Sequence, residues 1–224
     1  GLTGEGYEGH YFWDTEAFVL PVLALSRPSL ARELIEYRIG HLDQARQHAR
    51  RIGHNSGALY PWRTIGGQEC SAHYPTGSAQ YHVNAAIAYA LEIYFSATGD
   101  RAIFSEGGAE MLFETARLWI DTGYFCERRG GAFVINGVTG PDEYSALVDN
   151  DFYTNAMARR HLRFAAQMAR ELKGAESEEW ALWERAAAHM WLPVDPATGV
   201  HPQDDAFMDK PPFAGALRSD DGLP

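Results

Sequence analysis

The sequence predicts a mainly α-helical domain that carries one β-hairpin. Three observations predict it. Apolar residues recur near a 3.6-residue period in long segments such as 29–51 and 78–97. Clusters of Gly, Pro, Ser and Asp punctuate those segments. A single stretch, residues 125–138, switches to short β-type runs around a glycine turn. With 224 residues, 46% of them hydrophobic, the chain has the length and apolar content for one domain with a substantial core.

In chain order, residues 14–25 read as an apolar helix closed by Ser26-Arg27-Pro28. Residues 29–51 read as one long helix with Leu30, Leu34, Tyr37 and Leu42 along a face. Residues 53–76 form a loop rich in Gly, Ser and Pro, with a lone Glu69. Residues 78–97 give the clearest helix: Ile87, Leu91 and Tyr94 share a face, and Thr98-Gly99-Asp100 stops it. A further helix spans residues 109–122. Tyr124-Phe125-Cys126 and Ala132-Phe133-Val134-Ile135, separated by Arg128-Arg129-Gly130-Gly131, predict the hairpin. Helices resume over 151–173 and 176–190. Beyond Trp191 the chain turns to Pro, Gly and Asp, with one short strand expected near Val200.

Charge narrows the partners. Thirty acidic against 19 basic residues give a net charge of −11, which disfavours nucleic acid, whose binding leans on clustered Lys and Arg. A neutral ligand fits, or a small anion met by a local positive site. Aromatics make up 12% of the chain, with six Trp, and aromatic faces suit both sugar rings and a core. Cys70 and Cys126 make neither a disulfide framework nor a zinc spacing, so a reducing, cytoplasmic setting is expected. No apolar run is long enough for a membrane span, and no signal peptide is visible. The chain begins with Gly1 and lacks an initiator Met, so it is expected to be a piece of a longer protein.

The most informative motif is Gly140-Pro141-Asp142-Glu143-Tyr144. Proline fixes its own φ and pushes its predecessor away from helix, while Gly140 takes angles other residues avoid. The segment reads as a rigid corner presenting two carboxylates beside an aromatic. A carboxyl in such a setting can be kept protonated and ready to give its proton to a leaving oxygen. The same residues also fit a surface turn whose acids cap the next helix.

Other clusters carry two readings each. In Phe12-Trp13-Asp14-Thr15-Glu16, an Asp beside an indole can hold sugar hydroxyls under an apolar ring face, or Asp14 or Thr15 can cap a helix with Glu16 in its first turn. Tyr60-Pro61-Trp62-Arg63 suits a pocket wall or a loop packed on a helix. His82, opening the clearest helix in Gln80-Tyr81-His82-Val83-Asn84, suits a structural hydrogen bond or a site. Glu69 suits a ligand hydroxyl or solvent. Asp149-Asn150-Asp151 lacks the spacing of a calcium loop and fits a cap, with Asn155 reaching toward a ligand. Walker A, GxGxxG, GxSxG and HExxH motifs are absent.

Taken in order, these motifs resemble one family. Gly4-Glu5-Gly6-Tyr7-Glu8-Gly9-His10 with Phe12 to Glu16, then Gly57-Ala58-Leu59-Tyr60-Pro61-Trp62, Ala79 to Asn84, Gly140 to Tyr144 and Tyr153-Thr154-Asn155 are similar to the catalytic domain of glycoside hydrolase family 65. That family contains maltose, trehalose, kojibiose and nigerose phosphorylases and a few α-glucosidases. The resemblance implies a partial (α/α)6 barrel with one β-hairpin before the catalytic loop. Residues 1–224 would be a single domain, the front part of the barrel, lacking the family's N-terminal β-sandwich and second barrel half. It implies Glu143 as general acid, with Trp13 and Asp14 lining the subsite of the transferred glucose and Trp62, Glu69, His82 and Asn155 near it. Asp142 fits a brace for the loop as well as a part in catalysis. Ala86 departs from many relatives, which carry Asp there.

The implied reaction is inverting phosphorolysis of an α-linked glucosyl disaccharide to β-glucose 1-phosphate, with phosphate as co-substrate and neither metal nor organic cofactor. Two alternatives stand beside it: an inverting α-glucosidase such as a trehalase, which needs a second carboxylate, and a non-catalytic sugar-binding helical module. A half-barrel is further expected to expose an apolar stripe on helices such as 78–97, to lack activity in isolation and to self-associate as a homo-oligomer.

Overall fold

A computed structural model describes residues 5–71, 77–143, 146–174 and 177–211. Tyr144, the aromatic expected beside the acid, lies outside the described residues, as do residues 72–76 of the loop that precedes His82. Seven α-helices form among the described residues: α1 (Leu20–Ser26), α2 (Pro28–Gly40), α3 (Leu42–Arg51), α4 (His82–Thr98), α5 (Ala109–Thr122), α6 (Phe152–Lys173) and α7 (Glu178–Ala188). A π-helical turn, Thr15–Val19, leads into α1, and another, Phe104–Gly108, leads into α5. Strand β1 (Tyr11–Phe12) pairs antiparallel with β2 (Arg63–Thr64), and β3 (Tyr124–Cys126) pairs with β4 (Ala132–Val134) as the expected hairpin.

Local chemistry sets the ends of these helices. Pro28 starts α2, where its missing N–H costs nothing. Gly99 and Gly174 close α4 and α6 in the left-handed conformation, with φ of 68° and 67°. Asp151 caps α6, and the Ser177 hydroxyl caps α7 by accepting from the Glu179 N–H.

Three sequence expectations change. Residues 29–51 form two helices, because the chain breaks at His41 (φ −110°, ψ 16°). Its Nδ1 bonds the Tyr37 carbonyl at 2.7 Å, and the backbone of Gly67 presses on its ring so closely that a Cβ there would lie 2.4 Å from His41 Cδ2. Both sides of the break keep the helical period, so periodicity alone reads through it. Near Val200 the structure has a tight turn in place of a strand: the Asp195 carboxylate accepts from Ala197 N and Thr198 Oγ1, and Gly199 takes φ 70°. The two-residue strands β1 and β2 are too short to leave a period-2 pattern.

The helices make two layers. In the inner layer α4 packs between α1 and α6; in the outer layer α2 lies against α1 and α4, α5 against α4 and α6, α3 against α5, and α7 against α6. Helix α4 is the centre of the core. Its alanines 85, 86, 88 and 90, all buried, let neighbours approach from several sides, while Val83, Ile87, Leu91 and Tyr94 fill the space between them. The expected exposed apolar stripe on residues 78–97 is therefore not there. It lies instead on the first helical segment, where Phe18, Val22 and Leu25 are 64%, 64% and 81% exposed.

Beneath that segment is a buried ion pair. Arg38 from α2 donates from Nε and Nη2 to the two carboxylate oxygens of Glu16 at 2.6 and 3.0 Å, and the Tyr11 hydroxyl adds a third bond at 2.9 Å. The guanidinium lies over the rings of Tyr11 (4.6 Å) and Tyr60 (5.5 Å). These contacts join β1, the first helical turn and α2, and so fix the backbone that carries Trp13 and Asp14.

Candidate functional site

The inner helices gather one end of the molecule. Trp13 stands just before the first helical segment, His82 is the first residue of α4, and Tyr153 is the second of α6. His82 meets both other rings edge-on, Trp13 at 4.7 Å and Tyr153 at 5.7 Å, and Trp13 and Tyr153 lie tilted to each other at 6.1 Å. Three helix N-termini therefore converge, and their partial positive charge favours an anionic group nearby. Three of the sequence motifs, far apart in the chain, come together here.

The Gly-Pro corner is a loop pinned at both ends. Val138 and Val148 exchange two backbone hydrogen bonds of 3.0 and 2.8 Å, closing residues 138–148 at the base. Thr139 N–H donates to Ala79 O at 3.0 Å, tying the loop to the chain that enters α4. Gly140 lies against the cap of α6: a Cβ there would come within 2.5 Å of Asp151 Oδ2. Asp142 accepts a hydrogen bond from Gln203, which makes it a brace of the loop. Burial raises the Asp151 pKa, with Asp142 and Asp204 adding to the effect.

Glu143 sits exposed on this loop with φ 61°, and Leu147 (58°) and Asn150 (55°) share the left-handed conformation. Asn tolerates it, whereas Glu and Leu hold it at a cost on the order of 1–2 kcal/mol each. Such strain persists where surrounding bonds over-determine the backbone, as the pinned loop base does here.

Among the described residues, Gln80 fixes the Glu143 carboxyl. Gln80 Nε2 donates to its Oε1 at 2.9 Å. Gln80 is 2% exposed, and its own Oε1 faces His82 Nε2 at 2.9 Å. His82 has no exposed surface, and burial lowers its pKa to about 3. Sequence reading placed Gln80 inside a motif without a role, because nothing in the order of residues shows that its amide reaches a loop 63 positions away.

The other expected residues divide. Trp13 is 9% exposed and contributes mainly packing to this end of the core. Asp14 is exposed and makes no cap hydrogen bond to the helix that follows, so capping by the Asp14 side chain does not hold, although Glu16 does lie in the first turn as that alternative had it. Trp62, half-buried, stacks edge-on against Phe12 at 5.2 Å. The Glu69 carboxylate accepts from the backbone N–H groups of Trp62 (2.7 Å), Ser71 (2.8 Å) and Arg63 (3.3 Å), which makes it the brace of its own loop. Asn155 has no exposed surface and donates to Trp191 O at 2.9 Å and Asn150 Oδ1 at 3.2 Å. His82 and Asn155 were expected near a ligand; with no exposed surface in this arrangement, each reaches one only through a neighbour. Among the described residues, no group of three or more His, Cys, Asp or Glu side chains could hold a metal ion.

Comparison with known proteins identifies the family. The family model for the glycosyl hydrolase family 65 central catalytic domain matches residues 1–217. The chain belongs to this family. It is 49% identical to the α,α-trehalose phosphorylase of Geobacillus stearothermophilus over 94% of its own length and 29% of that protein's. It is 38% identical to the kojibiose phosphorylase of Escherichia coli strain K12, with the same coverage of each chain. A solved structure from the human microbiome, provisionally described as a kojibiose phosphorylase, superposes with a TM-score of 0.82 at 30% identity, over 94% of this chain and 29% of that one. The chain thus spans about 29% of the length of these relatives. Its double layer of helices, with one hairpin before the Glu143 loop, is the partial helical barrel expected from the sequence.

Proposed function

We propose that this family 65 domain supplies the general acid and part of the glucose subsite of an inverting disaccharide phosphorylase. The observation that carries the reading is Glu143, an exposed carboxyl on a pinned and strained loop beside three converging helix N-termini. In the proposed reaction Glu143 gives its proton to the glycosidic oxygen as the bond from that oxygen to the anomeric carbon breaks. A phosphate oxygen forms the new bond to that carbon from the opposite face, yielding β-glucose 1-phosphate and the free second sugar. One protein carboxyl suffices, because phosphate takes the place of the base-activated water of an inverting hydrolase. The exposed Asp14, free of a capping role, suits hydrogen bonds to hydroxyls of the transferred glucose. The names of the relatives, trehalose and kojibiose phosphorylases, support α-linked glucosyl disaccharides as the substrate class. The net charge of −11 disfavours nucleic acid as a partner.

The test is Glu143→Gln in the intact protein, assayed with phosphate and trehalose, kojibiose or maltose for release of glucose 1-phosphate. The substitution keeps the side-chain shape and removes the proton. Phosphorolysis should fall by roughly 10²–10⁴, the usual worth of acid catalysis. Near-normal turnover would remove Glu143 from the role.

A further inference from the structure

We infer that Gln80 is a positioning residue for the acid: it holds Oε1 of Glu143 as an acceptor, so that the transferable proton resides on Oε2, and His82 fixes the Gln80 amide in the orientation that does this. The inference rests on the reading of Glu143 as general acid and adds the device that aims its proton.

An amide has one donating end and one accepting end. Gln80 places one end 2.9 Å from Glu143 Oε1 and the other 2.9 Å from His82 Nε2. A carboxyl that has given up its proton can only accept, so the NH2 of Gln80 must face it. The Gln80 carbonyl then faces His82, which must carry its proton on Nε2. His82 is neutral across the working range, because burial lowers its pKa to about 3. A neutral imidazole has one N–H, and here Gln80 receives it. The ring has no exposed surface and its edges are closed in by Trp13 and Tyr153, so it cannot turn to offer another atom.

This arrangement need not change during a catalytic cycle. When Glu143 is reprotonated, Oε1 is already occupied by the Gln80 N–H, so the proton enters on Oε2, the oxygen this amide leaves free. If the amide flipped, its carbonyl would take the proton of Glu143 and hold it away from the glycosidic oxygen. The His82 N–H bond opposes that flip. The left-handed backbone of Glu143 fixes the direction from which the carboxyl approaches Gln80. The feature thus joins the start of α4 and the acid loop in one chain of hydrogen bonds with a single polarity, and the rings of Trp13 and Tyr153 hold its histidine in place.

The experiment uses the intact protein with phosphate and two glucosyl donors: a natural disaccharide, whose leaving oxygen needs a proton, and α-glucosyl fluoride, whose leaving group does not. Gln80→Met should lower kcat for the disaccharide by about 10–100-fold with little change in KM, and should change turnover of the fluoride by less than about 3-fold. His82→Phe keeps a ring between Trp13 and Tyr153 but loses the N–H; it should show the same donor dependence, more weakly. The double variant should be no worse than Gln80→Met alone, because His82 acts through Gln80. If Gln80→Met fails to fold, Gln80→Asn keeps the amide but lacks the reach to touch both partners, and should show the same split. Equal losses on both donors, no loss on either, or additive losses in the double variant would overturn the inference. The acid reading stands apart from these outcomes: it requires that Glu143→Gln alone lose the disaccharide and spare the fluoride.

Discussion

Gly140 ties the acid loop to the start of α6, and replacing it with alanine tests that tie. A Cβ at this position would lie 2.5 Å from Asp151 Oδ2 and 2.9 Å from its Cγ, inside contact distance for either atom. The Asp151 carboxyl cannot simply retreat. It is 1% exposed, and its Oδ1 accepts from Thr154 N at 2.7 Å and Thr154 Oγ1 at 2.6 Å as the N-cap of α6. Either the loop shifts or the cap breaks. Overpacking of a buried site costs about 1–3 kcal/mol, and loss of a cap about 1 kcal/mol. Gly140→Ala should therefore destabilise the domain by about 1–3 kcal/mol, read as a lower urea midpoint. A displaced loop should also lower phosphorolysis beyond the loss of folded protein. The decisive comparison is a double-mutant cycle. Asp151→Ala alone loses the cap, at about 1 kcal/mol, but opens the space the new methyl needs. The double variant should then cost about as much as Asp151→Ala by itself. Losses that simply add would show that the clash is not the cause, and the close approach of loop and cap would lose its claimed importance.

Three further outcomes follow from the same contacts. Asp14→Ala should cost about 1–3 kcal/mol in kcat/KM, because sugar hydroxyls lose an acceptor, with the melting temperature almost unmoved since Asp14 makes no cap bond; a fall in melting temperature with unchanged kinetics would return Asp14 to a structural role. Burial lowers the pKa of His82 to about 3 and of His161 to about 4, the latter with Nδ1 already accepting from Trp119 Nε1 at 2.9 Å. Below the unfolded value near 6.5 the unfolded chain binds more protons than the folded one, so stability is held above that pH and is lost on acidification, by up to about 1.4 kcal/mol per pH unit for each histidine down to its folded pKa; His161→Gln should reduce that slope by about one proton in urea titrations between pH 6 and 4, and an unchanged slope would refute the assignment. Glu16→Ala leaves Arg38 buried without its partner and should cost about 3–5 kcal/mol, more than replacing both residues by Met; an equal or smaller loss in the single variant would contradict the ion-pair account.

The helices, the hairpin and the loop corner were legible in the sequence because each rests on local chemistry. A 3.6 period, a proline at a helix start, Gly99 and Gly174 after helix ends and the Arg128–Gly131 turn act within a few residues of themselves. The order of motifs also named the family and pointed to Glu143. Tertiary structure decided the rest. At the break the His41 ring lies against Gly67, 26 positions on, a contact no periodicity describes. Glu16 was legible as a first-turn acid, but that Arg38 and Tyr11 close over it was not. Glu69 looked free for a ligand, but three backbone amides of its own loop claim it. His82 and Asn155 carry residue types that suit a pocket, yet their helices enter the core at those positions and bury them. Gln80, without a role from sequence, reaches the acid because the bridge at Val138 and Val148 and the bond from Thr139 to Ala79 bring two distant segments side by side. The sequence by itself determined most of the helices, the hairpin and which carboxyl to watch, since those follow from the conformational preferences of neighbouring residues. Which polar atoms remain free for a substrate was decided only by packing, because a hydrogen bond is spent on whichever partner the folded chain brings within 3 Å, however far away it lies in the sequence.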